Sequence, residues 1–306
     1  MSSKPKIVFM GSPDFALAVL QALYENYPVS GVVTQPDRAA GRGRELKPPL
    51  VKTLALELGL PVIQPEKLRQ PEALEQLRAW SPDLIVVAAF GQILRQEVLV
   101  LPVFGCINVH ASLLPRWRGA APINAAILRG DKKTGITIMK MDKGLDTGPI
   151  LSQRGVHIKP GETAGSLFDR LSTLGADLLL DTLPGYLAGV IEPRPQSEEG
   201  ATYAPMLKKE EGQLDFSRPA EELERMVRAF NPWPGAYLVW NGNLLKVHRA
   251  SIGFGNVQKG ERGVYLGLPA VGTSDGLLVL VEVQPAGKKP MDGKAFLAGA
   301  REWKED

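Results

Sequence analysis

Cysteine and histidine are scarce in this sequence. Its 306 residues contain one cysteine, Cys106, and three histidines. A single thiol can form neither an internal disulfide nor a cysteine-based zinc cluster, and so few histidines argue against a multi-histidine metal site. We therefore expect no metal, and the scarcity of cysteine is typical of a protein of a reducing compartment.

Long apolar runs and a basic tail are also missing. No continuous apolar run approaches the roughly 20 residues that a membrane-spanning helix needs, and the first strand-like segment begins at Ile7, which leaves no room for a signal or transit peptide. The net charge is only +3, and residues 200–306 hold 14 basic and 13 acidic side chains. Any RNA contact must therefore come from local clusters of charge. We expect a cytoplasmic, monomeric protein with no membrane partner.

The first part of the chain has the pattern of a doubly wound α/β sheet. Short apolar segments alternate with longer segments of helical period from Lys6 to about Leu187. Ser12 is expected to cap the first helix, with Pro13 at its first position. Strands are predicted at Ile7–Met10, Val29–Val33, Leu84–Ala89, Gly105–His110 and Ile136–Met141, and later helices at Leu50–Leu58, Pro71–Trp80, Pro122–Leu128 and Ala164–Leu187.

The composition changes beyond Leu187. Residues 188–212 are rich in proline and glutamate and are predicted to form an extended linker. A helix around Glu221–Phe230 and several short alternating segments follow, separated by glycine and asparagine turns, which predicts a small β-barrel or sandwich. The predicted organisation is an α/β domain at 1–187, a linker at 188–212 and a β domain at 213–306.

An amide and an imidazole lie close together at the end of one predicted strand. Residues two apart on a strand point to the same side, so Asn108 and His110 share one face. Active sites of doubly wound sheets lie just beyond the carboxyl ends of the strands. An isolated Asn-x-His is more often a plain polar strand end, so the surrounding sequence must decide.

A second cluster, residues 141–150, follows the next predicted strand. Two glycines and a proline surround Asp142 and Asp146, a composition that predicts a tightly shaped loop able to direct Asp146 towards Asn108 and His110. Attack of an amine on a carbonyl needs an oxyanion donor, a group that moves a proton and a carboxylate that orients it. These three side chains fit those three tasks.

The chain resembles the methionyl-tRNA formyltransferases nearly from end to end. The resemblance rests on seven segments: Gly11–Ala16, Gln35–Arg38, Gly91–Leu94, Asn108–Ile123, Leu145–Gly148, Asn231–Ala236 and Gln284–Lys289. The Asn108–Ile123 segment and the Asp146 loop are shared more widely among enzymes that use 10-formyltetrahydrofolate. Departures such as Ser12 and Arg95 lie outside the Asn108–Ile123 segment.

The resemblance implies a function and a set of site residues. Asn108, His110 and Asp146 would be catalytic, 10-formyltetrahydrofolate would be the formyl donor, and initiator methionyl-tRNA would be the acceptor. The C-terminal domain would be of the oligonucleotide-binding barrel type. The folate pocket would be walled by Ser112, Leu113, Leu114 and Pro115, together with Phe90, Gln92 and Ile93.

A basic segment follows the second predicted strand. Residues 35–52 contain five basic and two acidic side chains, and glycines interleave with the arginines. In an arbitrary protein such a segment is a solvated loop, but here the resemblance assigns it to the tRNA. The predicted tRNA-binding residues are Arg38, Arg42, Arg44 and Lys47. For Arg116 and Arg118, phosphate contact and surface ion pairing are equally open.

Three other functions remain open from the sequence. A formyltransferase for an amino sugar nucleotide would share the catalytic residues without needing the basic segment or an RNA-binding barrel. A 10-formyltetrahydrofolate hydrolase would use water as the acceptor. A noncatalytic RNA-binding protein could use the α/β part to sense folate, although the presence of all three catalytic residues argues against it.

Overall fold

The structure is a computed structural model that describes residues 4–40 and 45–303. In its α/β part the helices are α1 (Phe15–Asn26), α2 (Leu50–Glu57), α3 (Pro71–Trp80), α4 (Gln96–Leu99), α5 (Pro122–Leu128) and α6 (Ala164–Leu187). The strands are β1 (Ile7–Gly11), β2 (Val29–Val33), β3 (Arg38–Ala40), β4 (Glu45–Lys47), β5 (Val62–Ile63), β6 (Leu84–Ala88), β7 (Cys106–His110), β8 (Arg118–Gly119), β9 (Lys133–Lys140), β10 (Ile150–His157) and β11 (Tyr203–Ala204).

The main sheet has the strand order β10-β9-β7-β6-β1-β2-β5. The pairs β1–β2, β2–β5, β1–β6 and β6–β7 are parallel, and every residue of β1, β6 and β7 is buried. Strands that are buried along their whole length are typical of parallel sheets covered on both faces. The chain leaves β1 first towards β2 and later returns on its other side as β6. A crevice for a ligand is therefore expected at the carboxyl ends of β1 and β6.

The other edge of the sheet is antiparallel. Strand β9 pairs with β7 in the opposite direction, so that Lys140 lies beside Ile107 and Thr137 beside His110. The loop after β9 therefore leaves the sheet near the start of β7 and must run back along that strand to reach His110. Strand β10 was not among the predicted strands, because only its first two residues are buried and it lacks an apolar alternation.

The predicted fold class is confirmed, with one local correction. All ten predicted strands and helices of the α/β part occur, with small shifts at their ends. The predicted cap of α1 is wrong: the helix begins at Phe15 after Asp14. The hydroxyl of Ser12 instead accepts hydrogen bonds from the backbone N–H of Gln35 and the hydroxyl of Thr34. Ser12 therefore joins the loops that follow β1 and β2.

The C-terminal part contains a mostly antiparallel sheet. Its hydrogen-bonded order is β12-β13-β16-β15-β14, with β17 also paired to β16. Strand β13 changes register between Val247 and Ala250, an irregularity that bends and twists a strand. The elements are β12 (Ala236–Trp240), β13 (Asn243–Gly253), β14 (Arg262–Tyr265), β15 (Leu268–Gly272), β16 (Leu277–Pro285), β17 (Met291–Asp292), α7 (Ala220–Ala229) and α8 (Gly293–Gly299).

The chain divides into two compact units. The first comprises residues 1–122, 133–156 and 168–204, and the second comprises 123–132, 157–167 and 205–306. Residues 188–204, predicted as part of a linker, belong to the first unit, where β11 pairs with β8. The predicted domain limits at 187 and 213 stay predictions. In the described part of the chain, no helix is long and apolar enough to cross a membrane.

Candidate active site

Asn108 and His110 occupy the carboxyl half of β7 and are both buried, with 9% and 6% of their surfaces exposed. They lie two residues apart on one strand, so their side chains share a face, as predicted. Burial removes competing water from a polar pair and strengthens its electrostatic interactions. The pair is therefore placed for chemistry that needs directed hydrogen bonds.

The loop after β9 brings the carboxylate of Asp146 to this pair. Its Oδ1 accepts a hydrogen bond from Nδ2 of Asn108 at 3.3 Å, and its Oδ2 lies 3.6 Å from Nδ1 of His110. Oδ2 also accepts the backbone N–H of Gly119 at 2.8 Å. Asp146 has a positive φ of 53°, a left-handed conformation that aspartate tolerates better than most residues. The structure thus brings together all three predicted catalytic side chains.

A backbone carbonyl engages the far side of the imidazole. Nε2 of His110 lies 2.9 Å from the carbonyl oxygen of Trp117. Trp117 also has a positive φ, of 62°, and its N–H donates to the hydroxyl of Thr202. Because a carbonyl can only accept, Nε2 carries a hydrogen and Nδ1 is the nitrogen that faces Asp146. A protonated imidazole would find an acceptor at each nitrogen.

This arrangement leaves one strong donor uncommitted. The amide nitrogen of Asn108 has two hydrogens, and the described structure uses one of them towards Asp146. The second hydrogen can bind an oxygen that gains negative charge during a reaction. The site therefore combines an oxyanion donor, an imidazole and a carboxylate whose oxygens lie 3.3 Å from the amide nitrogen and 3.6 Å from the imidazole nitrogen.

The predicted folate residues after β7 form a braced segment. The hydroxyl of Thr137, on β9, donates to the carbonyl of Ser112 and accepts the N–H of Leu114. Ser112 and Leu114 are buried, whereas Leu113 and Pro115 are partly exposed. A ligand could therefore reach the side chains of Leu113 and Pro115.

The predicted folate residues after β6 form a tight turn at the expected crevice. Ala89 and Gly91 both have positive φ, and Phe90 is buried in the core. The side chain of Gln35 donates to the carbonyl of Phe90 at 3.0 Å. Ile93 is 81% exposed, so its apolar side chain is accessible to a ligand.

Gln92 is placed differently from the rest of this turn. Its side chain accepts the N–H of Leu68 at 2.8 Å and donates to the carbonyl of Pro65 at 3.1 Å. Those contacts tie the turn to the segment that follows β5. They favour a structural role for Gln92, and a role in binding folate stays a prediction.

The basic segment is described in part. Strands β3 and β4 pair as an antiparallel hairpin in which Arg38 lies opposite Lys47, and both side chains are exposed. Arg42 and Arg44 lie outside the described residues. The base of the hairpin is fixed by Asp37, which forms an ion pair with Lys52 at 2.8 Å. Hydrogen bonds from Lys52 and Gln64 hold the pKa of Asp37 below its usual range.

The sequence did not predict that residues 196–204 contact the Asp146 loop and Arg118. Nε2 of Gln196 donates to the carbonyls of Asp146 and Gly148 at 2.8 and 2.7 Å. Arg118, which is fully buried, contacts Gln196 and forms an ion pair with Glu198 at 3.1 Å. Of the two uses left open for Arg118, the structure assigns ion pairing. Strand β11 has only two residues, which is too short for a sequence pattern to predict these contacts.

Cys106 and two surface depressions lie apart from the three catalytic candidates, although the smaller depression is lined by Gln92 and Ile93, two predicted folate residues. Cys106 is buried, and this burial raises the pKa of its thiol to about 12. Cys106 therefore packs in the core as predicted. Two surface depressions of about 580 and 410 Å³ follow β5 and β6, and none of the three catalytic candidates lines either of them. The geometry of the buried side chains is a better guide to the chemistry than these open depressions.

Comparisons with protein families match both parts of the chain. A family described as "Formyl transferase" matches residues 5–183. A second, described as "Formyl transferase, C-terminal domain", matches residues 206–301. Methionyl-tRNA formyltransferase of Myxococcus xanthus is 50% identical over 303 residues, which cover 97% of this chain and 96% of that protein. The same enzyme of Bacillus subtilis is 51% identical over 301 residues, covering 96% and 95%.

Solved structures share the fold at low sequence identity. Methionyl-tRNA formyltransferase from Clostridium thermocellum has a TM-score of 0.57 at 18% identity, covering 94% of this chain and 100% of its own. An N-formyltransferase from Helicobacter canadensis, solved with folinic acid and dTDP-3-aminofucose, has a TM-score of 0.65 at 17% identity and covers 92% and 99%. At such identities these structures support the fold and leave the substrate to other arguments.

Proposed function

Since the chain belongs to the formyl transferase family, we propose that it transfers the formyl group of 10-formyltetrahydrofolate to the amino group of methionyl-initiator tRNA. The two methionyl-tRNA formyltransferases described above are half identical to it over nearly its whole length, which confirms the resemblance drawn from the motifs. The formylated methionyl-tRNA would serve translation initiation. The observation that carries the chemistry is the Asp146 carboxylate held between Asn108, Gly119 and His110.

The reaction begins when the free amine of the methionyl group attacks the formyl carbon. A carbon–nitrogen bond forms, and the carbonyl oxygen gains negative charge. The second amide hydrogen of Asn108 donates to that oxygen. Removing one such donor typically slows a reaction on the order of 100- to 1,000-fold. Asn108 therefore stabilises the tetrahedral intermediate.

The imidazole and the carboxylate act together on charge and protons. Asp146 balances positive charge on His110, whose Nδ1 faces it. The attacking amine must lose a proton, and the departing folate nitrogen must gain one as its bond to the formyl carbon breaks. The Asp146–His110 pair, with water, would pass this proton from one nitrogen to the other, so that the products are a formamide and tetrahydrofolate.

The crevice at β1 and β6 suits the folate donor. A pteridine needs a mostly apolar slot with a few directed hydrogen bonds. Ile93 presents an exposed apolar side chain there, and the segment from Ser112 to Pro115 lies after the neighbouring strand β7. The turn of Phe90 is fixed by Gln35, so its backbone geometry is set before the ligand binds.

The acceptor distinguishes the candidate functions. The basic segment, with Arg38, Arg42, Arg44 and Lys47, would contact the acceptor end of the tRNA, and the C-terminal sheet would contact it elsewhere. An amino sugar nucleotide needs neither feature. The cytoplasmic location and the monomeric state stay predictions.

One experiment separates these functions. The purified protein is given 10-formyltetrahydrofolate with methionyl-tRNA, free methionine, an amino sugar nucleotide or water alone, and release of tetrahydrofolate is measured. We expect rapid release with methionyl-tRNA and little with the others, and the Asn108→Ala variant controls for background. Release with the sugar alone would indicate a sugar formyltransferase, and release without any acceptor a hydrolase. Binding of tRNA without release would indicate the noncatalytic RNA-binding protein.

A further inference from the structure

The side-chain amide of Gln196 binds the backbone on both sides of Thr147. Its Nε2 lies 2.8 Å from the carbonyl oxygen of Asp146 and 2.7 Å from that of Gly148. The two hydrogen bonds use both amide hydrogens. Gln196 thus holds the loop at the residue whose carboxylate reaches the active site.

The orientation of this amide is fixed by a buried arginine. Oε1 of Gln196 accepts a hydrogen bond from Nε of Arg118 at 3.1 Å. A guanidinium can only donate and a backbone carbonyl can only accept, so one orientation of the amide satisfies all three bonds. Nη1 and Nη2 of Arg118 both bind the carboxylate of Glu198, each at 3.1 Å. Arg118 and Glu198 therefore clamp Gln196 in place.

The Asp146 loop needs an external support. Asp146 is left-handed, with a φ of 53°, and a side chain with a Cβ disfavours that conformation. The loop also leaves the sheet beside Ile107 and must run back to reach His110. Contacts from outside the loop must therefore hold it in the productive geometry.

We infer that Gln196 is a positioning residue for formyl transfer, acting through the backbone of Asp146. By binding the carbonyls of Asp146 and Gly148 it keeps the Asp146 carboxylate within reach of Asn108, Gly119 and His110. In the described structure Gln196 forms no hydrogen bond with any of these three residues. The inference rests on the proposed function, because it assigns Gln196 a part in that reaction.

The Gln196→Glu variant tests this role. Glutamate has the same length and can still pair with Arg118, but it cannot donate to the two carbonyls. We expect kcat to fall on the order of 100-fold, as a misplacement of about 1 Å can cause, with the KM values for folate and tRNA nearly unchanged. Glu199→Gln is the matched control: Glu199 is exposed in the same segment and we expect kinetics like those of the wild type.

A second variant guards against misfolding. Gln196→Met removes the two donors without adding a charge, and the unfolding temperature of each variant is measured beside its kinetics. The expected result is a folded protein with a low kcat. A folded variant with wild-type kcat would overturn the inference, and so would unfolding of both variants, because the role would then be one of general stability.

A double-mutant cycle shows whether Gln196 acts through Asp146. In the Asp146→Asn background the loop position matters little, so adding Gln196→Glu should lower kcat by less than about twofold further. If the two substitutions lowered kcat by independent factors that multiply, the inference would be contradicted.

Failure of this inference can be told apart from failure of the proposed function. If the wild type is active and Gln196→Glu is fully active, this inference alone is overturned. If the wild type has no transferase activity, the proposed function is overturned as well.

Discussion

The carbonyl oxygen of Trp117 lies 2.9 Å from Nε2 of His110 and fixes the hydrogen of the neutral imidazole on that nitrogen. The acceptor is a backbone atom, held by a bond from the Trp117 N–H to Thr202. Substituting the side chain at 117 would therefore leave the acceptor present. Nδ1 is left as the nitrogen that exchanges its proton beside Asp146.

This relationship predicts the tautomer of His110. The protein has only three histidines, so ¹⁵N labelling of histidine alone gives a simple spectrum, and loss of one signal set in His110→Gln identifies His110. We expect the neutral ring to carry its hydrogen on Nε2. A neutral His110 with its hydrogen on Nδ1 would show that the Trp117 contact does not exist in solution.

The charge of Asp146 is expected to be essential for turnover. Asn tolerates a left-handed φ and can still accept the N–H of Gly119, so Asp146→Asn should stay folded while losing the negative charge beside His110. We expect kcat to fall on the order of 100- to 1,000-fold. Asp142→Asn is the control, since it removes the same charge from the same loop and keeps an oxygen that can accept the N–H of Gly144. Equal effects of the two variants would contradict the assignment.

The sequence was sufficient to predict the parallel sheet and the pairing of Asn108 with His110. Apolar runs identify β1 and β6, and the strand alternation within β7 places its two polar side chains on one face. Both signals are local, because each depends on neighbours within one element.

The antiparallel edge and the clamp around Asp146 could not be predicted. Strand β10 exposes half of its residues and has no apolar period that would reveal it. Gln196 lies 50 residues from Asp146 along the chain, and Glu198 lies 80 residues from Arg118. Contacts of that separation leave no local pattern in a single sequence. At Ser12 a local pattern gave a wrong prediction: the sequence favours a helix cap, but the hydroxyl accepts the N–H of Gln35 from a distant loop instead.

Substituting Arg118 is expected to lower the free energy of unfolding more than substituting Arg116. Arg118→Met removes hydrogen bonds to Glu198 and Gln196 and should lower the free energy of unfolding by about 1–3 kcal/mol, the range for unsatisfied buried partners. Glu198 is mostly exposed and is solvated when the pair breaks, which limits the loss. Arg116→Met should cost much less, since Arg116 is exposed and stacks on Trp117. Thermal unfolding of both variants measures the difference, and equal losses would contradict the clamp.

Cys106 is expected to resist thiol reagents in the folded protein. Burial raises the pKa of its thiol to about 12, so at pH 8 the group is both protonated and inaccessible. A disulfide reagent at pH 8 should react slowly with the native protein and rapidly with one thiol after unfolding. Folding raises the pKa of this thiol, so the folded state favours the neutral form. The free energy of unfolding should therefore fall as the pH rises from the ordinary pKa of a cysteine towards 12. Rapid reaction in the native state would show that β7 opens.

The basic segment is expected to bind the tRNA backbone. Arg38 and Lys47 are exposed and lie opposite each other on the β3–β4 hairpin, so their charges fall close together beyond the carboxyl end of β2. Arg42 and Arg44, outside the described residues, belong to the same segment of the sequence. Phosphate contacts release counterions, so each lost contact should flatten the dependence of log affinity on log salt concentration by roughly 0.7 to 0.9.

The variant with Arg38→Ala, Arg42→Ala and Arg44→Ala tests this contribution against one control. Affinity for methionyl-tRNA is measured across a salt series for the wild type, this variant and Arg78→Ala, whose arginine is exposed on α3 away from the segment. We expect weaker binding and a flatter slope for the triple variant, with folate binding kept, because none of the three arginines is among the predicted folate residues. Arg78→Ala should follow the wild-type line. Parallel lines at equal affinity for all three proteins would leave the hairpin as a connector between β2 and α2.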